Sequence, residues 1–208
     1  MIQEASTRSN QIVLASGNAG KLREIAQLLE GLNLEILPQS EFNVPEIEET
    51  GLTFVDNAIL KARNATHHTG LPAIADDSGI AVDVLRGRPG IYSARFAGIG
   101  ASDEENLEKL IRMVEPFPDE ERTARFICSM VYIRHEEDHV PVIAEGVWEG
   151  QLLIDPKGQN GFGYDPIFYV SSHQCTSAEL SPEIKNKLSH RGQALRELLG
   201  KLSSLYPD

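Results

Sequence analysis

Cysteine is scarce in this sequence. Cys128 and Cys175 are the only two in 208 residues; they lie far apart and form no metal-ligand spacing, which argues against a disulfide scaffold or a zinc module and for reduced thiols in a cytosolic protein. Long apolar runs are missing too. None approaches the roughly 18 residues that a membrane-spanning helix needs, and the polar opening MIQEASTRSNQ has no apolar segment of the secretory kind. The expectation is a cytoplasmic protein with no membrane partner. Positive charge is in deficit: 19 Lys and Arg stand against 31 Asp and Glu, for a net charge of −12. That excludes general binding to nucleic-acid backbones, which needs dense Lys and Arg. It leaves room for a small phosphorylated ligand, because an acidic protein can hold a polyphosphate through a divalent cation and a few placed basic groups. Internal repeats and low-complexity linkers are also absent.

What is present is globular, with 41% hydrophobic and 24% charged residues. The length suits one ordinary domain, or two lobes sharing a sheet. Apolar runs and periodicity give a mixed order of elements. Ile12-Val13-Leu14 reads as a buried strand, followed by a helix with Leu22, Ile25, Ala26, Leu28 and Leu29 inward, and a second strand falls at about 33–37. Thr53 and Asp56 form a capping box for a helix running to about His68, with Phe54, Ala58, Ile59, Ala62 and Ala65 inward; Ser102 and Glu105 cap another, with Leu107, Leu110, Ile111 and Val114 inward. Between them, LPAIADDSGIAVDVL reads as two short strands around a turn at Asp76-Asp77-Ser78-Gly79. TARFICSMVYI and VPVIAEGVWEGQLLI form a long hairpin across RHEEDH, whose apolar residues such as Trp148 could offer an interface. Ser181-Pro182 opens a helix, and HRGQALRELLGKL is the last amphipathic one. This order predicts an α/β fold on one mixed sheet.

Four segments carry candidate chemistry. ASGNAGK turns a strand into a helix, with Gly17 and Gly20 permitting close backbone approach and Lys21 at the helix start. Free N–H groups there attract anions, although the segment fits neither the Walker A nor the Rossmann pattern and also suits a plain turn with an exposed lysine. Glu48 and Glu49 in one loop, and Asp76 and Asp77 after a buried strand, are like charges that resist desolvation. A hard divalent cation such as Mg²⁺ would relieve them; a plain turn also suits Asp76–Gly79. In NGFGYDP, Phe162 or Tyr164 suits stacking on a base, or filling the core. Lys185, His190 and Arg191 flank a break between helices, where they could neutralise phosphate or simply face solvent. The match of His135 to His139 to H-E-x-x-H is rejected, because that motif needs a helix and here it lies in a hairpin turn. His67, His68 and His173 read as surface residues.

Taken together, ASGNAGK, EETGLTFVDNAILKAR, LPAIADDSGIAVDVLRGRPGIYSARFAG, NGFGYDPIF and LSHRGQAL resemble, in order and over about 11–200, the inosine/xanthosine triphosphate pyrophosphatases. That family hydrolyses non-standard purine nucleoside triphosphates. The resemblance implies an elongated mixed β-sheet flanked by helices, with two lobes around a central cleft, in a single domain over 11–205; residues 1–10 fall outside it and read as a disordered extension. It implies a homodimer that needs Mg²⁺. By position, Ser16, Gly17, Asn18, Ala19, Gly20 and Lys21 would hold the triphosphate. Glu49 and Asp77 would be metal-linked carboxylates, with Asp77 the general base and Asp76 in support. Ser78 would touch substrate, and Lys61 and Arg95 would make secondary phosphate contacts. Phe162, Gly163, Tyr164 and Asp165 would line the base pocket, and Lys185, His190 and Arg191 would complete recognition. Ser16 stands where many members have Thr, and Gln159-Asn160 where small residues are common. The rival expectations are a related pyrophosphatase for pyrimidine or modified nucleotides, and a nucleotide-binding regulator without catalysis.

Overall fold

A computed structural model describes residues 10–29 and 34–205; the expected extension over 1–10 lies outside them but for Asn10. Seven strands form one sheet: β1 (Gln11–Leu14), β2 (Glu35–Pro38), β3 (Ala73–Val82), β4 (Thr123–Ile133), β5 (Val142–Leu152), β6 (Phe168–Val170) and β7 (Cys175–Thr176), in the order β2-β1-β3-β4-β5-β6-β7. β1 is parallel to β2 and β3, and the remaining pairs are antiparallel. The helices are α1 (Ala19–Leu29), α2 (Phe54–Thr69), α3 (Asp103–Val114), α4 (Pro182–Leu188) and α5 (His190–Leu205). The sheet is mixed and helix-flanked, as expected.

Side chains alternate across a strand, and β1 shows what that does here. Ile12 and Leu14 join Ile25, Cys128, Leu195 and Leu198 beneath α1 and α5. Val13 and Ala15 point the other way, onto Ala58, Ala62 and Ala65 of α2. Alanines spaced at one helical turn let α2 lie close on the sheet. A third cluster fills the far end, where Ile80, Phe126, Trp148 and Phe168 meet Leu110 and Val114 of α3. The caps are as the sequence predicts: Thr53 and Asp56 form a reciprocal box, as do Ser102 and Glu105, each worth about 1 kcal/mol. β4 and β5 are the expected hairpin, and His135–Asp138 lies in its turn. The inward faces expected for Ala26, Leu28 and Leu29 lie outside the described side chains.

Two expectations are corrected. Asp76–Gly79 is no turn: it is the middle of β3, whose ten residues each have a partner on β4, Asp76 opposite Met130 and Asp77 opposite Ser129. The turn preference of Asp-Asp-Ser-Gly is local, and ladder pairing with a strand some fifty residues on overrides it. Trp148, expected to offer an interface, is buried against Phe168 with ring centroids 5.1 Å apart.

Candidate active site

A cleft of about 770 Å³ opens between the two ends of the sheet, a size that suits a small organic ligand. β3 is its floor. Because Asp76 and Asp77 are consecutive on a strand, their carboxylates leave opposite faces. Asp76 goes to the α1/α5 side, where Lys21 Nζ lies 3.0 Å from Oδ2 and Arg191 Nε 3.5 Å. Asp77 goes to the α2 side. There Asn57 and Lys61, one helical turn apart and so on one face, take an oxygen each: Asn57 Nδ2 donates to Oδ2 at 3.2 Å and Lys61 Nζ to Oδ1 at 3.0 Å. Lys61 Nζ also donates to Glu49 Oε1 at 2.9 Å, and Arg95 Nη1 to Glu49 Oε2 at 2.8 Å.

The two neighbouring carboxylates differ in their protonation. Burial works to raise the Asp76 carboxyl, but the charges of Lys21, Arg191 and Lys61 together hold it well below the usual carboxylate range. Asp76 is 1% exposed and does not line the cleft. Burial also raises Asp77, and Glu49 adds to the rise; Lys61 and Lys21 offset it only in part. Asp77 lines the cleft. One locked anion and one poised carboxylate side by side is a division of roles seen where acid–base chemistry is done.

At the cleft's opening turn, Asn18 Oδ1 accepts from the N–H groups of Gly20 and Lys21 at 2.9 and 3.0 Å. The first turn of α1 is therefore capped by its own side chain, and those two donors are not free for an anion as the sequence suggested. Ser16, Gly17, Asn18 and Lys21 still line the cleft. Gly20 has a different use: a Cβ there would sit 2.7 Å from the Phe162 ring, so glycine lets α1 approach the loop that carries Phe162.

That loop is pinned from inside. Asp165 accepts from Phe162 N (2.9 Å), Ser177 Oγ (2.8 Å) and Lys185 Nζ (2.7 Å), while Gly163 N donates to Asp103 of α3 at 3.0 Å. The two aromatics separate. Tyr164 is buried and its hydroxyl donates to Ser93 O at 2.8 Å, whereas Phe162 is half-buried, with Lys185 Nζ 5.2 Å and the Arg191 guanidinium 5.7 Å from its ring centroid. Ser189 ends α4 and caps α5, its Oγ accepting from Gly192 N at 3.1 Å. That break delivers His190 and Arg191 to the cleft. His190 lies flat on Phe126 with centroids 4.7 Å apart, and burial, Arg191 and Lys185 keep it neutral. Arg191 donates to Ser78 Oγ at 3.0 Å and to Glu24. Every candidate site side chain with a described position thus falls on this cleft or directly behind it.

Among the described residues no group of three or more His, Cys, Asp or Glu side chains is arranged to hold a metal ion. Glu49 and Asp77 nevertheless fit one. Their hard oxygens already share a single cation, the Lys61 ammonium, and Mg²⁺ commonly takes one or two carboxylates and completes its shell with water and substrate phosphate.

The sequence from 12 to 201 matches the model of the Ham1 family. The chain belongs to the Ham1 family. Among its relatives, a dITP/XTP pyrophosphatase of Vibrio parahaemolyticus is 59% identical over 93% of this chain and 97% of its own length. Another of that name, from Thioalkalivibrio sulfidiphilus, is 61% identical over 92% and 98%. Of solved structures, a HAM1 protein from Coxiella burnetii superposes with a TM-score of 0.86 at 52% identity, covering 93% of this chain and 98% of that one. A nucleoside-triphosphatase / dITP/XTP pyrophosphatase from Mycobacterium abscessus gives 0.71 at 41%, covering 95% and 100%.

Two residues directly behind this Ham1 chain's cleft, each bonded to side chains that line it, were not evident from the sequence. Asn57, four before Lys61, clamps Asp77. Glu24, three after Lys21, accepts from both Lys185 (2.7 Å) and Arg191, tying α1 to α4 and α5. Helical spacing from the two lysines was the available signal.

Proposed function

We propose that this chain hydrolyses non-canonical purine nucleoside triphosphates (ITP, dITP and XTP) to the monophosphate and pyrophosphate, removing them from the nucleotide pool before a polymerase can use them. The observation that carries this is near full-length identity of about 60% to relatives named for that reaction. The cleft supports it, because its residues suit each need of the chemistry. Asp77 takes the proton of the attacking water. Lys21, Lys61 and Arg95 meet the phosphate oxygens and the charge that builds on the departing pyrophosphate. Phe162 offers a face to the base, and Arg191 offers donors only, which suits a 6-oxo purine over a 6-amino one. Glu49 and Asp77 would hold Mg²⁺, which when bound supplies positive charge to the phosphates.

Inosine triphosphate with Mg²⁺ should release pyrophosphate, EDTA should stop turnover and added Mg²⁺ should restore it; turnover undiminished in EDTA would remove the metal from the scheme. Pyrimidine or methylated nucleotides turned over in preference to inosine triphosphate would favour a sister activity, and tight binding without turnover would favour a regulator. Among the described residues no helix is long and apolar enough to cross a membrane, and we place the enzyme in the cytoplasm as a homodimer. With Trp148 buried, Val147 of β5 and Val140 in the turn, 44% and 73% exposed, are apolar side chains of the hairpin that face solvent. Light scattering checks the assembly: a mass near the 22.9 kDa of one chain at micromolar concentration would contradict it.

A further inference from the structure

Glu49 and Asp77 have four carboxylate oxygens between them, and each is engaged by a donor of this chain. Lys61 Nζ serves Glu49 Oε1 at 2.9 Å and Asp77 Oδ1 at 3.0 Å; Arg95 Nη1 serves Glu49 Oε2 at 2.8 Å; Asn57 Nδ2 serves Asp77 Oδ2 at 3.2 Å. Two carboxylates thus meet two cations. A free divalent ion arriving here finds a locally neutral site whose bridging position holds an ammonium. A buried carboxylate pair with no cation would be costly, and Lys61 removes that cost. The Lys61 side chain is itself only 17% exposed, so solvent does little to loosen it.

We propose that the Lys61 ammonium acts as an internal surrogate for the divalent ion, closing the metal position in the nucleotide-free protein so that metal and triphosphate enter together. Phosphate oxygens give Lys61 a new anionic partner. Drawn toward them, it uncovers the facing oxygens of Glu49 and Asp77, and the ion takes its place. Metal affinity is therefore low until a polyphosphate is present, and the two ligands strengthen one another by exchange of ion-pair partners. This rests on the hydrolase reading above for the identity of the second ligand, but the metal-binding half stands on the ion pairs alone.

The test uses Mn²⁺ as probe on nucleotide-free protein, with free Mn²⁺ counted by electron paramagnetic resonance. Wild type should bind it weakly. Lys61→Met should bind it more tightly by about tenfold or more, since a competing unit charge at contact distance has been removed. Adding Asp77→Asn to Lys61→Met should abolish the gain. Arg95→Gln also removes one positive charge from Glu49 but vacates no shared position, and its gain should be clearly smaller. If Lys61→Met folds poorly, Lys61→Gln takes its place, and Mn²⁺ should raise its melting temperature more than it raises that of wild type. The proposal is overturned if the Lys61 variants bind Mn²⁺ no better than wild type, if the gain survives Asp77→Asn, or if Arg95→Gln matches it. No nucleotide enters the measurement, so a protein inactive on inosine triphosphate would still reveal whether Lys61 closes the metal position.

Discussion

Asp77→Asn should lower kcat on inosine triphosphate by about 10²–10⁴-fold, the usual cost of a lost general base. The substitution keeps the shape of the side chain and a carbonyl oxygen for Lys61, so binding of the nucleotide should suffer less than turnover. Stability should not fall in step. Burial raises the Asp77 carboxyl above its ordinary value, with Glu49 adding to the rise, so the fold favours the protonated form. An acid of that kind detracts from stability above its folded pKa, and the cost is relieved as pH falls through it. Asn supplies the neutral form at every pH. The variant should melt at or near the wild-type temperature while having lost its activity. The same shift has a kinetic sign: the base works only when ionised, so the acid limb of wild-type kcat/KM should lie above the ordinary Asp value of about 3.9. A variant within about threefold of wild type at saturating Mg²⁺ is too mild for a lost general base and would remove Asp77 from that role.

The parts of the fold legible in the sequence were those set by neighbours along the chain. Thr53 with Asp56 and Ser102 with Glu105 are decided within one helical turn, and both boxes form. The path of β3 is decided elsewhere, by β4, and no local pattern reveals that Asp77 will lie opposite Ser129. Reading Asp76–Gly79 as a turn therefore failed while marking its residues as a site succeeded: two adjacent carboxylates in an apolar run are unusual in either conformation. The Asn18 cap was missed for another reason. A helix N-terminus advertises free donors, and whether a side chain takes them depends on a rotamer. Trp148 shows the limit of composition, since an aromatic on a hairpin serves an interface or a core equally well, and only Phe126 and Phe168, brought in by other strands, decide for the core.

Asp76→Asn, one residue away, should do the reverse of Asp77→Asn in the melting experiment. Asp76 is fully inside the protein, between Lys21 and Arg191, with Cys128 Sγ 4.0 Å from Oδ2. Burial alone would raise its carboxyl and the thiol's too; the thiol is indeed pushed up to about 12, whereas Lys21, Arg191 and Lys61 hold Asp76 ionised. Replacing the carboxylate by an amide leaves a buried guanidinium and a partly buried ammonium facing a neutral group. Breaking such a pair typically costs about 3–5 kcal/mol, or roughly 6–20 °C in melting temperature for a chain of this size. Arg191 keeps Glu24, which places the expectation toward the lower half of that range. The pH dependence follows from the depressed carboxyl. Its stabilisation is complete above the unfolded value near 3.9 and is lost as pH falls from there toward the lower folded value. Wild type and Asp76→Asn should therefore differ by a constant amount above about pH 5 and draw together progressively only as pH falls below about 4. Calorimetric melting of both proteins across that range checks the sign as well as the size. Equal melting temperatures at neutral pH would mean that Lys21 and Arg191 find other partners at no cost, and Asp76 would then lose its place as the anion that holds α1 and α5 to the sheet.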